Sequence, residues 1–434
     1  MKTRKNKARS EKTLNDKSWE TIFQELHILD KLADNETVQI SSEEINKHRE
    51  ARLMTKIDHR SQLPKIFADN NLAILPVTRG TYEIGRFDIF CNFEEHDAET
   101  IPIDFPSYVE SLDHKNIFSE AIAINCAFVS KMLSKFIGEE LEDLLPTVCG
   151  RMSSSSFDFN INAGRDKVLI KVNNSQIEID GGFEDAQSLN LIEAKNYISD
   201  DFVIRQLYYP YRLWRDKISK PIRPIFLTYS NGIFHLREYE FTDRDFYNSI
   251  SLVKHIKYVF REEEEINTET IQNIIDTIKI EEEPAVPFPQ ADNFERIINL
   301  CELMRDKGLL SKEDITLNYD FTQRQTDYYL NAAKYLGLVS GLPRKRESEF
   351  TLSNTGEYIM GLPIIERQIE FVKLILSHKV FKNTLELYFE TGSNPSTEVV
   401  VEFMRSVLPS IKDSTLERRA QTVLSWINWI LSLI

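Results

Sequence analysis

The twenty residues Gln176–Lys195, QIEIDGGFEDAQSLNLIEAK, set the reading of the whole chain. Ile177-Glu-Ile-Asp180 alternates apolar and acidic side chains, the period of a half-buried strand, so Glu178 and Asp180 should share a face. Gly181-Gly182 can take the positive φ of a tight reversal. Leu189–Lys195 then supplies a second strand with Leu191, Glu193 and Lys195 on one side. The residues between are more than a two-residue hairpin needs, so the register of the pair stays open.

If the two strands pair, Asp180 and Glu193 converge at one end of a sheet with Lys195 beside them. Two hard carboxylates that leave most coordination positions to water and phosphate oxygens suit Mg²⁺. Such an ion lowers the pKa of a bound water and neutralises the charge that builds up in an in-line displacement. Lys195 is the matching cation, able to orient or deprotonate the attacking water and to contact the same phosphate. The combination suits hydrolysis of a phosphodiester. Glu-x-Lys alone also arises by chance on the solvated face of many strands, so its surroundings carry the weight.

Asp180, Glu193 and Lys195 match the PD-(D/E)xK pattern, with Asp-Gly-Gly where the pattern's name has Pro-Asp. Together with Glu178-x-Asp180, the apolar lead into Glu193 and the following Asp201–Trp214, DFVIRQLYYPYRLW, the chain resembles a type II restriction endonuclease family. The resemblance extends to residues 49–60, 63–67, 74–76, 79–85 and 324–338. It implies an α/β (α+β) PD-(D/E)xK nuclease core, a mixed central β-sheet flanked by helices, that cuts double-stranded DNA at a specific sequence with Mg²⁺ and leaves 5′-phosphates. Asp180 and Glu193 would then bind the metal, Lys195 would orient or activate water, and Glu178 and Gln206 would support them. A helix before the sheet often aims an acidic residue at the metals. Glu120 holds that position, although a first-turn Glu also complements the helix dipole. Pro210 stands where the helicase-associated branch would carry Tyr, which disfavours that branch. Cutting two strands needs two active sites, so a homodimer is expected, and a cognate DNA methyltransferase should belong to the same system.

With 434 residues, 41% of them hydrophobic, the chain can form two or three packed domains. No run of about eighteen apolar residues offers a membrane span, and the basic N-terminus does not lead into a signal-peptide core. A cytoplasmic location is the expectation. Cys91, Cys126, Cys149 and Cys301 are too scattered for a disulfide framework or zinc spacing, so reduced thiols are expected. A net charge of −15 opposes any protein that coats nucleic acid non-specifically. A nuclease that meets DNA through a limited cleft needs only locally basic walls. No GxxxxGK[ST] loop is present, so no ATP requirement is expected.

Six segments follow from pattern and composition. Residues 1–18 read as a basic flexible tail. Residues 19–115 form a helical and β region in which Arg79 and Arg86 head a locally basic stretch that could lie on DNA. Residues 116–260 make the catalytic core, and 261–290 an acidic, proline-rich linker. Residues 291–362 describe a winged helix, three helices followed by a strand, a basic tip and a return strand. Residues 363–434 are a helical extension whose apolar end should be buried, against this chain or another subunit.

Finer expectations attach to these segments. A helix spans Trp19–Leu32, another starts at Ser41-Ser-Glu-Glu44, and strands cover 72–77 and 86–90. One helix runs from Phe118 to Ile137. Strands 168–172 and 176–180 form the opening hairpin of the sheet, and 224–229 with 233–239 form another. Asp200-Asp201 caps a helix to Trp214 that kinks or ends at Pro210. In the winged helix, Gln323, Arg324 and Gln325 face a major groove, while Arg344, Lys345 and Arg346 lie beside phosphates. Such domains also serve as dimerisation modules. Two other functions remain open: a repair or mobile-element nuclease on the same core, and a non-catalytic winged-helix DNA-binding regulator.

Overall fold

The computed structural model describes residues 13–94, 98–138, 144–262, 265–319, 321–342, 349–408 and 412–434. At its centre is a seven-stranded mixed sheet built from β1 (Thr100–Ile103), β2 (Leu145–Ser153), β3 (Gln176–Glu184), β4 (Leu189–Lys195), β5 (Ile222–Ser230), β6 (Ile233–Phe241) and β7 (Ile250–Phe260). The spatial order is β1-β7-β6-β5-β4-β3-β2. Pairing is parallel for β4 with β5 and for β7 with β1, and antiparallel elsewhere. The β5–β6 hairpin turns through Asn231 and Gly232, both at positive φ (50° and 79°), as a two-residue turn compatible with strand twist requires.

Strand β4 divides two cores. Leu189 and Leu191 pack into one cluster with Phe226 and with Leu207 and Tyr208 of helix α3 (Arg205–Arg215). Ile192 and Ala194, pointing the opposite way, pack into another with α1 (Glu120–Val129) and α2 (Met132–Ile137). A strand buried on both faces reads as a continuous apolar run, and Leu191-Ile192 is the centre of this one. The N-terminal helices and the three-stranded sheet of Thr37–Ser41, Thr81–Gly85 and Ala73–Pro76 join the α3 side.

The last third forms its own core around α4 (Phe294–Lys307), with α5 (Lys312–Asn318), α6 (Gln323–Tyr335) and the small sheet of Leu310–Ser311, Glu349–Leu352 and Val339–Leu342. Five further helices, Asn354–Gly361, Ile364–Leu376, Lys379–Thr391, Thr397–Val407 and Asp413–Leu431, complete the helical C-terminal region among the described residues. Phe288 and Ala291 lie in this core, and Glu281 N–H donates to the Ser377 carbonyl at 2.9 Å, so the proline-rich stretch is packed against the region that follows it. Trp426 is fully buried against Phe294 and Phe381, and its indole N–H donates to the Ala291 carbonyl at 2.8 Å; the apolar C-terminus is covered by its own chain. Among the described residues no helix is long and apolar enough to cross a membrane.

Several expectations are corrected. The first helix begins at Leu14, because Thr13 caps it through a reciprocal bond with Asp16, and it breaks at His27 (φ 50°) before a second helix, Ile28–Asp34. Residues 13–18 of the expected tail thus belong to this helix and its cap, and residues 1–12 lie outside the described residues. The strand expected at 86–90 is instead Thr81–Gly85, with a short strand at Phe90–Asn92. The helix expected from Phe118 to Ile137 is two, separated where Lys131 adopts φ 62°. Residues 168–172 pair with Ser156–Ala163 in a separate hairpin, and β3 pairs with β2 instead.

Asp201 lies in a short strand, Asp201–Val203, and does not cap α3, which runs unbroken through Pro210. The largest change concerns Gly181-Gly182. Both continue β3 as ordinary strand, without positive φ. A Cβ on Gly182 would stand 2.2 Å from Val148 Cγ2 and 2.6 Å from the Val148 carbonyl oxygen, so the glycine is there for close approach of β2. The reversal falls at Asp185–Ser188, where the Asp185 carboxylate accepts from the Gln187 and Ser188 N–H groups at 2.7 Å each.

Candidate active site

The β3–β4 ladder reaches Ile192 opposite Gly181 and stops. One residue further, the Asp180 carboxylate takes over: its Oδ2 accepts the Ala194 N–H at 2.8 Å, fixing Asp180 beside the segment that carries Glu193 and Lys195. Lys195 Nζ donates to Glu193 Oε1 at 2.6 Å and to the Ala194 carbonyl at 2.9 Å, and lies 3.8 Å from Glu120 Oε1. From α3, Gln206 Nε2 donates to the same Glu193 oxygen at 2.6 Å, while its buried Oε1 has no partner among the described residues. The side chains of Lys195 and Glu193 are only 11% and 9% exposed.

Burial sets the charge balance. It pushes the Glu193 carboxyl up to about 8; Lys195 pulls the other way, and the neighbouring Asp180 and Glu120 carboxylates raise it further. Glu120 is raised by burial too, and by Asp180, against the pull of Lys195. Burial favours loss of the Lys195 proton, yet Glu193 and Glu120 outweigh it and hold the ammonium well above its ordinary range. Three carboxyl groups thus gather about Lys195, with Lys307 acting on Glu120 from α4. An oxygen-rich donor set that burial makes costly to charge on its own fits a hard divalent cation. Among the described residues, no group of three or more His, Cys, Asp or Glu side chains is gathered closely enough to enclose a metal unaided. Asp180 and Glu193 are the pair that could hold one.

These residues line a cleft of about 1040 Å³. Its walls come from three parts of the chain: the site strands, the N-terminal region through Arg79 and Lys56, and α4 through Leu303 and Lys307. Glu178 also lines it, but is half exposed and paired with Arg151 at 3.2 Å, apart from the Asp180–Glu193 cluster. Arg86 is exposed and outside the cleft lining. Gln323, Arg324 and Gln325 occupy the first turn of α6, away from the cleft: Gln325 closes a capping box with Thr322, and Arg324 Nε donates to the Tyr328 hydroxyl at 2.6 Å. Arg344, Lys345 and Arg346 lie outside the described residues.

Sequence reading missed Tyr197 and its support. Tyr197 lines the cleft, and its hydroxyl lies 2.9 Å from His59 Nε2, while His59 Nδ1 is 2.6 Å from the Asp201 carbonyl. Alternation from Glu193 and Lys195 points to Tyr197, but no local signal joins it to His59. Beyond Tyr197 the chain is gripped by α4. Asn299 accepts from the Ile198 N–H at 2.9 Å and donates to the Asn196 carbonyl at 2.9 Å, the Tyr319 hydroxyl donates to Asn299, and Arg296 pairs with Asp200 at 2.7 Å.

Three family models match successive parts of the chain, each described as a domain of unknown function: DUF6996 over residues 16–84, DUF6997 over 85–259 and DUF7226 over 296–434. The cleft draws walls from all three matched regions. Among curated proteins and among solved structures, nothing matches.

Proposed function

We propose that this protein is a Mg²⁺-dependent DNA endonuclease of the PD-(D/E)xK kind, a type II restriction enzyme acting on double-stranded DNA at a specific sequence. The observation that carries this reading is the convergence of Asp180, Glu193, Lys195 and Gln206, with Glu120 beside them, at the end of two paired strands inside one cleft. A divalent cation held by Asp180 and Glu193 would supply charge neutralisation at the scissile phosphate. Lys195, held cationic by Glu193 and Glu120, orients the attacking water and contacts the phosphate. Gln206 fixes the Glu193 carboxylate, and the Ala194 N–H fixes that of Asp180. Arg79 and Lys56 on the cleft wall would meet the DNA backbone.

Residues 291–362 are read as a winged helix that contacts DNA. Supporting this are the order α4, α5, α6 and the antiparallel pair Val339–Leu342 and Glu349–Leu352. A homodimer, a partner methyltransferase and a cytoplasmic location belong to the same proposal. The test is incubation of the purified protein with unmethylated phage DNA in Mg²⁺ or EDTA. Discrete Mg²⁺-dependent bands are expected. A smear would favour the repair or mobile-element reading, and no cutting across several DNAs, with sequence-selective binding retained, would favour the regulator.

A further inference from the structure

One strand away from the cleft lies a second, smaller cavity of about 130 Å³, lined by Phe93, Tyr197, Ser199, Thr228, His235 and Arg237 among others. Arg237, on β6, is 8% exposed, and no carboxylate pairs with it among the described residues. Its guanidinium donates to Thr228 Oγ1 at 3.1 Å and lies 3.2 Å from His235 Nδ1, with its face 4.5 Å from the Phe93 ring centre. The buried Nε has no hydrogen-bond partner among the described residues. A guanidinium carries five N–H donors, so most of this one's capacity is unused.

The surroundings are donor-rich. Burial holds His235 neutral, at about 2, with Arg237 adding to the effect. Its Nδ1 faces the Arg237 guanidinium, which can only donate, and His255 Nε2 at 3.1 Å, so the ring proton sits on Nε2. The buried Ser199 Oγ, also on the lining, has no partner among the described residues either. Glu295 is the acid on the wall, and burial raises its pKa toward the neutral form. A buried cation that lacks an anion is costly unless something supplies one.

We propose that this cavity is a binding site for a phosphate-sized tetrahedral oxyanion, with Arg237 as its charge partner and Ser199 and His235 as further donors. The chemistry would suit free inorganic phosphate or the terminal phosphate of a nucleotide chain. Thr228 is in register with Lys195 across the parallel β4–β5 pair, and Tyr197 lines both cavities, so the anion would sit beside the cleft. The inference does not depend on what the cleft catalyses.

The experiment is a thermal-shift and ³¹P NMR titration of the full chain with inorganic phosphate, against chloride at matched ionic strength. A second arm uses a 5′-phosphorylated dinucleotide and its unphosphorylated form. Saturable stabilisation by either phosphate source, absent with chloride, is expected, and the arm that responds identifies the source. Arg237→Met should abolish it while keeping the fold, because an apolar chain replaces an unpaired buried charge. Ser199→Ala should weaken it by about tenfold, the loss of one charge-assisted bond. No response beyond chloride in the wild type would overturn the site. So would a folded Arg237→Met that binds as well as wild type, or, if that variant does not fold, a Ser199→Ala with unchanged affinity.

Discussion

The Asp180 carboxylate accepts the backbone N–H of Ala194 at 2.8 Å, so one acidic side chain of β3 is bound to the stretch of β4 between Glu193 and Lys195. Asp180 therefore has a structural task that its proposed catalytic one does not require. Asp180→Asn can keep the bond through its amide oxygen but loses the charge. It should fold with near wild-type stability and not cut DNA. Asp180→Ala should also fail to cut, and should lose about 1–2 kcal/mol of stability, the cost of stranding a partly buried N–H. Urea denaturation beside a cleavage assay separates the two effects; an Asn variant that cuts normally removes Asp180 from the site.

Lys195 and Glu193 form a buried pair, and breaking it should cost far more than a surface bridge. Lys195→Met leaves a buried Glu193 carboxyl that must either carry its charge unpaired or take up a proton on folding, a loss of about 3–5 kcal/mol at neutral pH. Adding Glu193→Gln should recover most of it, with neither variant cutting DNA. The single variant should also show the sign of its pH dependence. Glu193 is raised in the folded chain first by burial, so protonating it stabilises the fold. That contribution is complete below the unfolded value of about 4.3 and disappears as pH climbs through the raised one. Stability of Lys195→Met should therefore increase on acidification from pH 8 to 5. A flat profile would contradict the pairing.

Gln206 holds Glu193 from α3 without belonging to the charged cluster. Gln206→Leu should leave the melting temperature nearly unchanged and raise the Mg²⁺ concentration needed for half-maximal cleavage by about 10–100-fold. Loss of activity that Mg²⁺ does not restore would give Gln206 a different role.

Gly182→Ala should destabilise by at least about 1–3 kcal/mol, because its Cβ meets the Val148 carbonyl as well as a movable methyl. Val148→Ala cannot rescue it fully, since the carbonyl stays. Equal stability of Gly182→Ala and wild type in denaturant would show that β2 can retreat.

Asp185 carries the turn that the glycines do not. Burial raises its carboxyl, but the N–H groups of Gln187 and Ser188 outweigh that and leave it below the usual range. A depressed folded pKa means stability present above the unfolded value of about 3.9 and lost as pH falls through the folded one. Asp185→Ala should cost about 1–2 kcal/mol at pH 7, and the difference from wild type should shrink in acid. Denaturation at pH 7 and pH 3 measures both.

What the sequence made legible was local. The capping box at Ser41, the hairpin of residues 224–229 with 233–239 and the convergence of Asp180 with Glu193 follow from residues close in the chain. The pairings of β4 with β5 and of β7 with β1 join segments whose side chains carry no mutual signal, so both were missed. Gly181-Gly182 misled because a glycine's missing Cβ serves a turn and a close approach alike. His59 and Tyr197 meet across 138 residues, with nothing in either neighbourhood to announce it.

The grip of Asn299, Arg296 and Tyr319 on residues 196–200 also bears on synthesis. Tyr319 leaves the ribosome more than a hundred residues after Lys195. At ~5–20 residues per second that is a delay of about 6–25 s, during which the wall of the cleft is unfinished. Whatever chemistry the cleft performs, a nascent or prematurely terminated chain would hold its charged residues without the brace that sets them, so the cleft is completed only when the C-terminal region has been made.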